Sequence, residues 1–114
     1  HAVRTHRMSR DIEAVCGFIE RHLTEPLRIQ ELSARTGYAE YYFSRKFKRE
    51  TGLTPAEYIR KKRLEKAAAL LLTTGRDIKQ IGTDLQFCSQ SYFTDCFRKE
   101  FGVSPTKYRK EGKA

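Results

Sequence analysis

The sequence predicts an all-α protein of about seven helices. Apolar residues recur at helical spacing along most of the chain, and no stretch alternates apolar and polar residues with the period of a β-strand. A twelve-residue phrase also occurs twice, as FKRETGLTPAEY from Phe47 and as FRKEFGVSPTKY from Phe97. The repeat predicts two similar helical units within one chain.

The first half of the chain predicts three helices. An apolar stripe over residues 9–24 indicates the first, which Pro26 stops. The segment IQELSARTGY predicts a short second helix, ended by a left-handed turn at Gly37. The segment AEYYFSRKFKRET predicts the third, in which Phe43 and Phe47 lie one turn apart and face the core.

The longest predicted helix connects the two copies and begins at TPAEYIRKKR. Thr54 is its predicted cap, Pro55 takes the first helical position, and Glu57 completes a capping box. From Pro55 to Thr73 the helix would span roughly 28 Å at about 1.5 Å per residue. Because one turn of DNA is about 34 Å long, this helix could place two recognition helices in successive major grooves.

The second half repeats the plan of the first. Asp77 is the predicted cap of IKQIGTDLQ, with Gln80 completing a second capping box, and Ser89 is the predicted cap of QSYFTDCFRKE. A last helix begins at Ser104 and Pro105. Each copy therefore has a short helix, a tight turn and a second helix, which is the helix-turn-helix pattern. Alone this pattern is weak evidence, since helical hairpins also occur in bundles and repeat arrays.

The charge balance favours a polyanionic partner. The chain has 23 Lys and Arg against 14 Asp and Glu, a formal net charge of +9 and a pI near 9.7. The excess is concentrated in residues 26–75 and 101–114, whereas residues 1–25 and 76–100 are balanced. Nucleic acid is the expected partner, and a solvated basic surface would explain the charge alone.

Other functions find little support. Cys16, Cys88 and Cys96 are odd in number and form no CxxC pair, which favours a reducing, cytoplasmic location over a disulfide framework. No cysteine and histidine spacing suits a metal, and no apolar run suits a membrane span. The chain has no set of nucleophile and base and no phosphate-binding glycine loop. We expect no metal, no cofactor, no membrane contact and no enzymatic activity.

Polar residues follow a stripe on each predicted recognition helix. Successive residues of a helix are rotated by about 100°. When the phenylalanines face the core, this rotation places the following residues on the outward face: Tyr41, Ser44, Arg45 and Lys48 in the first copy, and Ser91, Thr94, Asp95 and Arg98 in the second. An arginine can bind guanine bidentately in the major groove. An ordinary surface helix would also expose such residues, so the stripe alone leaves both explanations open.

Other basic residues also have two explanations. Part of RKKR, residues 60–63, is expected to contact phosphate, whereas Arg63 lies on the apolar side and favours a buried structural ion pair. Lys107, Arg109 and Lys110 are expected near the DNA backbone, and a solvated tail is the alternative.

These motifs resemble the DNA-binding domain of the AraC/XylS family of bacterial transcription regulators. The resemblance covers about residues 10–110 and includes YYFSRKFKRETGLTPAEYI in the first copy and FCSQSYFTDCFRKEFGVSPTKYR in the second. It implies two helix-turn-helix units joined by one long helix and bound along bent double-stranded DNA. It also implies a longer protein, usually an activator that recruits RNA polymerase, with any effector bound by a separate domain.

The resemblance assigns base reading, by position, to Tyr41, Ser44 and Arg45 in the first unit and to Gln90, Ser91, Thr94 and Asp95 in the second. We assign backbone contacts to Lys48, Arg49, Arg98, Lys107 and Arg109. Asp95 departs from the family, which usually has a basic or neutral residue there, although a carboxylate can accept from cytosine N4. Gln86 stands where the first unit has Gly37, and Arg28 and Ala39 are poor caps. We therefore expect the first unit to bind DNA more tightly than the second.

The expected organisation follows from these elements: residues 9–52 form the first unit, 53–75 the linker helix and 76–110 the second unit, with a disordered or non-native tail over 1–8 and another tail over 111–114. The expected function is sequence-specific binding of double-stranded DNA in bacterial transcription regulation. The alternative is a helical protein-interaction domain that binds an acidic partner.

Overall fold

Seven α-helices and no β-strand are found in residues 8–112, the part of the chain that the computed structural model describes. They are α1 (Arg10–Arg21), α2 (Ile29–Thr36), α3 (Glu40–Thr51), α4 (Pro55–Thr73), α5 (Ile78–Asp84), α6 (Gln90–Phe101) and α7 (Pro105–Gly112). The predicted all-α fold is confirmed. Of the predicted tails, residues 1–7 and 113–114 lie outside the described residues, and residues 111–112 belong to α7.

The helices form two compact units. Unit 1 contains the described residues up to His22 together with Pro26–Ile59, and unit 2 contains Leu23–Glu25 and residues 60–112. The division falls inside α4. The first turn of α4 belongs to unit 1 and the rest of the helix to unit 2.

Apolar residues at helical spacing build the core of unit 1. Phe43 and Phe47 of α3 are completely buried, with ring centroids 5.7 Å apart, and the Phe47 ring meets the Tyr58 ring edge-on at 5.3 Å. The other buried apolar side chains of the unit are Ile12, Val15, Cys16, Ile19, Leu32 and Ile59. Burial of this one face fixes which side of α3 remains exposed.

Unit 2 repeats the arrangement with its own core. Phe93 and Phe97 of α6 are completely buried, with ring centroids 6.0 Å apart. They pack with the following residues of α4, α5 and the turn after it: Leu64, Ala67, Ala68, Leu71, Ile81, Leu85 and Phe87. The second unit therefore also has a recognition helix with one buried and one exposed face.

Two of the three predicted side-chain caps form. In α4 the Glu57 amide donates to the Thr54 hydroxyl at 3.1 Å, and the Thr54 amide donates to the Glu57 carboxylate at 2.9 Å, which is the predicted capping box. The Tyr92 amide donates to the Ser89 hydroxyl at 3.0 Å at the start of α6.

The predicted capping box of α5 is wrong. Asp77 occupies the N-cap position without a side-chain hydrogen bond. The Gln80 amide group donates to the Asp84 carboxylate at 2.8 Å, one turn further along the helix. Arg76 also contacts Asp84. The bond to Asp84 holds the Gln80 side chain away from the Asp77 amide, to which a capping box would join it.

The first helix is shorter than residues 9–24. It ends at Arg21, and the His22 amide donates to the Ile19 carbonyl at 3.0 Å, which tightens the last turn. Leu23–Glu25 then leave the helix and belong to unit 2, where Arg63 donates to the carbonyls of Leu23 and Glu25. These tertiary bonds, together with Pro26, end the helix earlier than the local pattern predicts.

The two helix-turn-helix turns reach the left-handed conformation with different residues. Gly37, with φ +81°, follows α2 in the left-handed conformation that favours glycine. At the corresponding place in unit 2, Gln86 adopts φ +69°, and its side chain donates to the Thr24 carbonyl at 3.0 Å. Unit 2 therefore keeps the left-handed turn, although a glutamine adopts this conformation at an energetic cost that glycine avoids.

Candidate nucleic-acid interface

The exposed face of α3 carries the predicted base-reading residues of unit 1. Tyr41 has 73% of its surface exposed, Arg45 is exposed beside it, and Ser44 is half-buried between them. The Arg45 guanidinium donates to the Tyr41 hydroxyl at 2.9 Å. An aromatic ring, a hydroxyl and a guanidinium therefore share one side of a short helix, as recognition of base edges requires.

Positive charge surrounds this face. Lys48 and Arg49 are exposed near Arg45, and an open depression of about 460 Å³ separates these side chains. It is lined by Tyr41, Ser44, Arg45, Lys48, Arg49 and Thr54. Three cations around a shallow concavity favour a polyanion over a neutral ligand.

Lys46 has a different role from its neighbours. Its ammonium lies 3.0 Å from the Glu50 carboxylate, and both side chains are mostly buried. The hydrogen bond to Glu50 raises the pKa of Lys46. This charge is neutralised within unit 1 and adds little to the field of the exposed face.

A polar network holds α3 against the start of α1. Glu50 accepts from the Ser9 amide at 2.8 Å, and the Ser9 hydroxyl donates to the Asp11 carboxylate at 2.6 Å. The Tyr38 hydroxyl, in the helix-turn-helix turn, donates to the Asp11 carboxylate. Bonds from Ser9 and Tyr38 lower the pKa of Asp11. The recognition helix is thereby fixed at its C-terminal end and at the turn before it.

The corresponding face of α6 has a different charge. Asp95 occupies the position of Arg45, with 71% of its side chain exposed, and the Arg98 guanidinium lies 3.9 Å from its carboxylate. Gln90 and Ser91 are exposed and Thr94 is half-buried on the same face. The structure thus brings the predicted residues of unit 2 together, but around a carboxylate that offsets the charge of Arg98.

Two arginines prove to be structural. Arg109, predicted to contact the DNA backbone, donates instead to the carbonyls of Leu71, Thr74 and Arg76, at 2.8–3.2 Å. This guanidinium closes the open end of α4, so we remove it from the expected DNA contacts. Arg63 is structural as predicted, but it donates to backbone carbonyls rather than to a carboxylate. Burial lowers the pKa of Arg63.

One basic residue on the recognition helix of unit 2 was not assigned from the sequence. Lys99 is exposed on α6 and lies 50 residues after Arg49, which the sequence did assign to the DNA backbone. The repeat separation of 50 residues was the signal that could have found it. Lys107 remains exposed, with its ammonium 3.8 Å from the Glu111 carboxylate.

Within residues 8–112, every helix is too short or too polar to span a bilayer. Across the same residues, no three His, Cys, Asp or Glu side chains come together as ligands of a metal ion would. None of the three cysteines, all within the described range, forms a disulfide.

Comparisons with known proteins agree with this geometry. A family model described as a helix-turn-helix domain matches residues 32–111. Regulatory protein SoxS of Salmonella typhimurium is 40% identical over 98 residues, which cover 86% of this chain and 92% of SoxS.

Two solved structures share the fold. The C-terminal domain of AraT, a response regulator from Geobacillus stearothermophilus, gives a TM-score of 0.85 at 32% identity, covering 92% of this chain and 88% of that one. The DNA-binding domain of AdpA, a global transcriptional factor solved in complex with a target DNA, gives a TM-score of 0.85 at 27% identity, covering 90% and 93%.

Two helix-turn-helix units, each with an exposed polar recognition helix, define a DNA-binding protein of the transcription-regulator class. The chain belongs to the AraC/XylS family, and the resemblance found in its sequence is confirmed. It regulates transcription by binding DNA, as the helix-turn-helix proteins of this family do.

Proposed function

We propose that α3 of unit 1 enters a major groove and supplies most of the sequence specificity, through Tyr41, Ser44 and Arg45. The observation that carries the proposal is the exposed pair formed by Tyr41 and Arg45, joined at 2.9 Å on the outward face of the helix. The guanidinium reads guanine by two parallel hydrogen bonds, and the tyrosine ring packs against neighbouring base edges or sugar.

Unit 2 contributes a second, weaker contact. Gln90, Ser91 and Thr94 of α6 meet base edges, and the Asp95 carboxylate accepts from cytosine N4. The same carboxylate is repelled by the phosphates on both sides of the groove, which lowers the affinity of this unit. That the two helices take successive grooves stays a prediction from the length of α4.

Backbone contacts position the chain and carry no sequence information themselves. We assign them to Lys48, Arg49, Arg98 and Lys107, all of which are exposed. Each neutralised phosphate releases counterions, so the affinity depends steeply on salt.

The regulatory setting follows from the family. The chain acts in the bacterial cytoplasm by binding rather than by catalysis, as part of an activator that works together with RNA polymerase. Any effector is bound by a domain outside this chain. The exposed cations of α3 serve DNA in this setting and not an acidic protein partner.

Selection of bound duplexes from a random library is the decisive experiment. We expect one strong half-site containing guanine and a second, more degenerate one. A salt titration on the selected duplex should give a line in log Kd against log salt, with a slope of about 0.9 per neutralised phosphate. Enrichment of no sequence, together with no measurable DNA affinity at low salt, would overturn the proposal in favour of a protein-interaction domain.

A further inference from the structure

An open groove lies within unit 2, beside the recognition helix and apart from its base-reading residues. Its volume is about 390 Å³, and it is lined by Arg60, Leu64, Tyr92, Cys96, Lys99 and Glu100. The first two residues come from α4 and the others from α6. Leu64 is buried, whereas Arg60 and Lys99 are exposed.

A tyrosine hydroxyl lies between the two walls of this groove. Tyr92 is 43% exposed, and a hydrogen bond with the Cys96 thiol raises its pKa. The Arg60 guanidinium is also within hydrogen-bonding reach of the Tyr92 hydroxyl and acts in the opposite direction. A tyrosine hydroxyl carries a single hydrogen, so a phosphate in the groove would have to replace the Cys96 sulfur as its acceptor.

The groove is electropositive although a carboxylate lines it. Glu100 is neutralised by Lys61, whose ammonium lies 2.9 Å away. Across residues 8–112, no carboxylate forms an ion pair with Arg60 or with Lys99. Two cations without an ion pair and one hydroxyl therefore line the same open groove, and groups of this kind bind phosphate through charge-assisted hydrogen bonds.

We propose that Arg60, Lys99 and the Tyr92 hydroxyl bind one phosphate of the DNA backbone, at the edge of the major groove that α6 enters. The inference rests on the proposed function, because it requires α6 to lie in that groove. A helix with its side chains is about 10–12 Å wide, and the major groove is about 12 Å wide. The flank of an inserted helix consequently meets the phosphate row.

The position of the groove on α6 fits this role. Lys99 lies about 40° further round the helix than Asp95, and Tyr92 about 60° further, both toward α4. Asp95 is the most outward residue of α6, directly opposite the buried phenylalanines. When Asp95 points at base edges, this flank faces one strand of the duplex, and Arg60 extends the contact from α4.

Unit 1 has similar residue types at the matching positions, since Arg10, Tyr42 and Arg49 stand 50 residues before Arg60, Tyr92 and Lys99. The two units differ at Cys96, where unit 1 has Lys46, whose ammonium lies 3.0 Å from the Glu50 carboxylate. Unit 2 has a thiol there, and Glu100 pairs instead with Lys61 of α4. The site offsets part of the repulsion that Asp95 introduces into unit 2.

The test compares the whole chain with Arg60→Gln, Lys99→Gln and the double variant, on a duplex from the selection. The control is Lys66→Gln, which removes one exposed charge from α4 outside the groove. Because both cations serve a single phosphate, we expect the double variant to lose one phosphate contact, a decrease of about 0.9 in the salt slope. At about 0.1 M salt this corresponds to roughly tenfold weaker binding. Tyr92→Phe should weaken binding several-fold, and Lys66→Gln should change it less than twofold.

A duplex series with one neutral methylphosphonate at each backbone position locates the contact. A methylphosphonate at one position in the half-site of unit 2 should weaken DNA binding by the wild-type protein and leave DNA binding by the double variant unchanged. If the wild type binds and the double variant matches Lys66→Gln, the phosphate site is wrong and the proposed function stands. If the wild type fails to bind any duplex, both are overturned. Arg60→Lys, which keeps the charge, should retain the wild-type slope, and loss of slope there would count against the site.

Discussion

The Arg45 guanidinium donates a hydrogen bond of 2.9 Å to the Tyr41 hydroxyl, one turn earlier on α3, and its Cζ lies 5.4 Å from the centre of the Tyr41 ring. Both side chains are exposed. A guanidinium has five N–H donors, so this bond leaves enough of them for a bidentate contact with guanine. Tyr41 thus biases the direction of Arg45 without exhausting its donors.

Arg45→Ala should relax sequence specificity at one base pair. The lost bidentate contact is worth about 1–3 kcal/mol, so affinity for the preferred duplex should fall roughly 5- to 150-fold. Affinity for a duplex with that pair changed should fall much less. The measurement is Kd on both duplexes for the wild type and the variant.

Two matched variants separate base reading from general attraction. Lys48→Ala removes a neighbouring exposed charge of α3 and should weaken binding to both duplexes equally, with a salt slope lower by about 0.9. Tyr41→Phe keeps the ring and removes the acceptor for Arg45, so its effect should be smaller than that of Arg45→Ala. An equal loss on both duplexes for Arg45→Ala would make Arg45 a phosphate contact.

Gly82→Ala should destabilise unit 2. A Cβ at this position would lie 2.9 Å from Cδ2 and 3.1 Å from Cγ of Phe93, which is completely buried. Overpacking of this kind costs about 1–3 kcal/mol, against a gain of about 1 kcal/mol in helix propensity. A urea titration should therefore show a net decrease in the free energy of unfolding.

Ser33→Ala is the matched control for that variant. Ser33 stands at the corresponding position of unit 1, where the core already accommodates a side chain, and its hydroxyl donates to the Gln30 carbonyl at 3.0 Å. We expect a change of less than about 1 kcal/mol, because only this one hydrogen bond is lost. A more stable Gly82→Ala protein would show that Phe93 can shift.

Gly37→Gln should destabilise unit 1 through the backbone alone. Gly37 has φ +81°, and a Cβ there would meet nothing within 4 Å, so steric crowding does not contribute. A non-glycine residue in this conformation costs about 1 kcal/mol. The decrease should appear as a lower midpoint of thermal unfolding.

The reverse change in unit 2 is the control for the turn. Gln86→Gly relieves the φ of +69° but loses the hydrogen bond to the Thr24 carbonyl and gains freedom in the unfolded chain. These effects oppose each other, so its stability should change less than that of Gly37→Gln. If Gln86→Gly instead raises stability by more than Gly37→Gln lowers it, the Gln86 hydrogen bond contributes nothing to stability.

The helical spacing of apolar residues was sufficient to predict the main features of this fold. The spacing of Phe43 and Phe47, and its repetition 50 residues later, gave both the buried and the exposed face of the recognition helices. The capping box at Thr54 and the cap at Ser89 were also predictable, because each involves residues only three apart.

Contacts between distant segments were not predictable in the same way. The sequence favoured a buried ion pair for Arg63 and a DNA-backbone contact for Arg109, yet both donate to backbone carbonyls more than 30 residues away. Open carbonyls at a helix end accept such donors, but the sequence does not show which end lies nearby. The wrong capping box at Asp77 has a local cause instead, since Asp84, four residues after Gln80, accepts from the Gln80 side chain.

Unit 1 should lose stability in acid through Asp11. Hydrogen bonds from Ser9 and Tyr38 lower the pKa of Asp11 below its ordinary value of 3.8. A lowered pKa in the folded state means that the carboxylate stabilises the fold fully above pH 3.8 and progressively less as pH falls through the folded-state pKa. In Asp11→Asn, the midpoint of thermal unfolding should fall less steeply than in the wild type as pH decreases from about 5 to about 2. Glu13→Gln, an exposed change on the same helix, should leave the decline steep, and identical profiles for all three proteins would contradict the role of Asp11.

Arg109→Gln should lower stability without changing how the folded protein binds DNA. The Arg109 guanidinium donates to three carbonyls at and beyond the end of α4, and each charge-assisted bond is worth about 1.5–3 kcal/mol at most. Partial exposure of the site reduces the total, so we expect a loss of about 1–3 kcal/mol in the free energy of unfolding. Lys107→Gln, two residues earlier on α7, removes the same charge from an exposed position and should leave stability nearly unchanged. DNA binding should show the opposite pattern. Below the unfolding transition, Arg109→Gln should keep the wild-type salt slope of DNA affinity, whereas Lys107→Gln should lower this slope by about 0.9. A reduced slope for Arg109→Gln at full stability would return Arg109 to the DNA backbone.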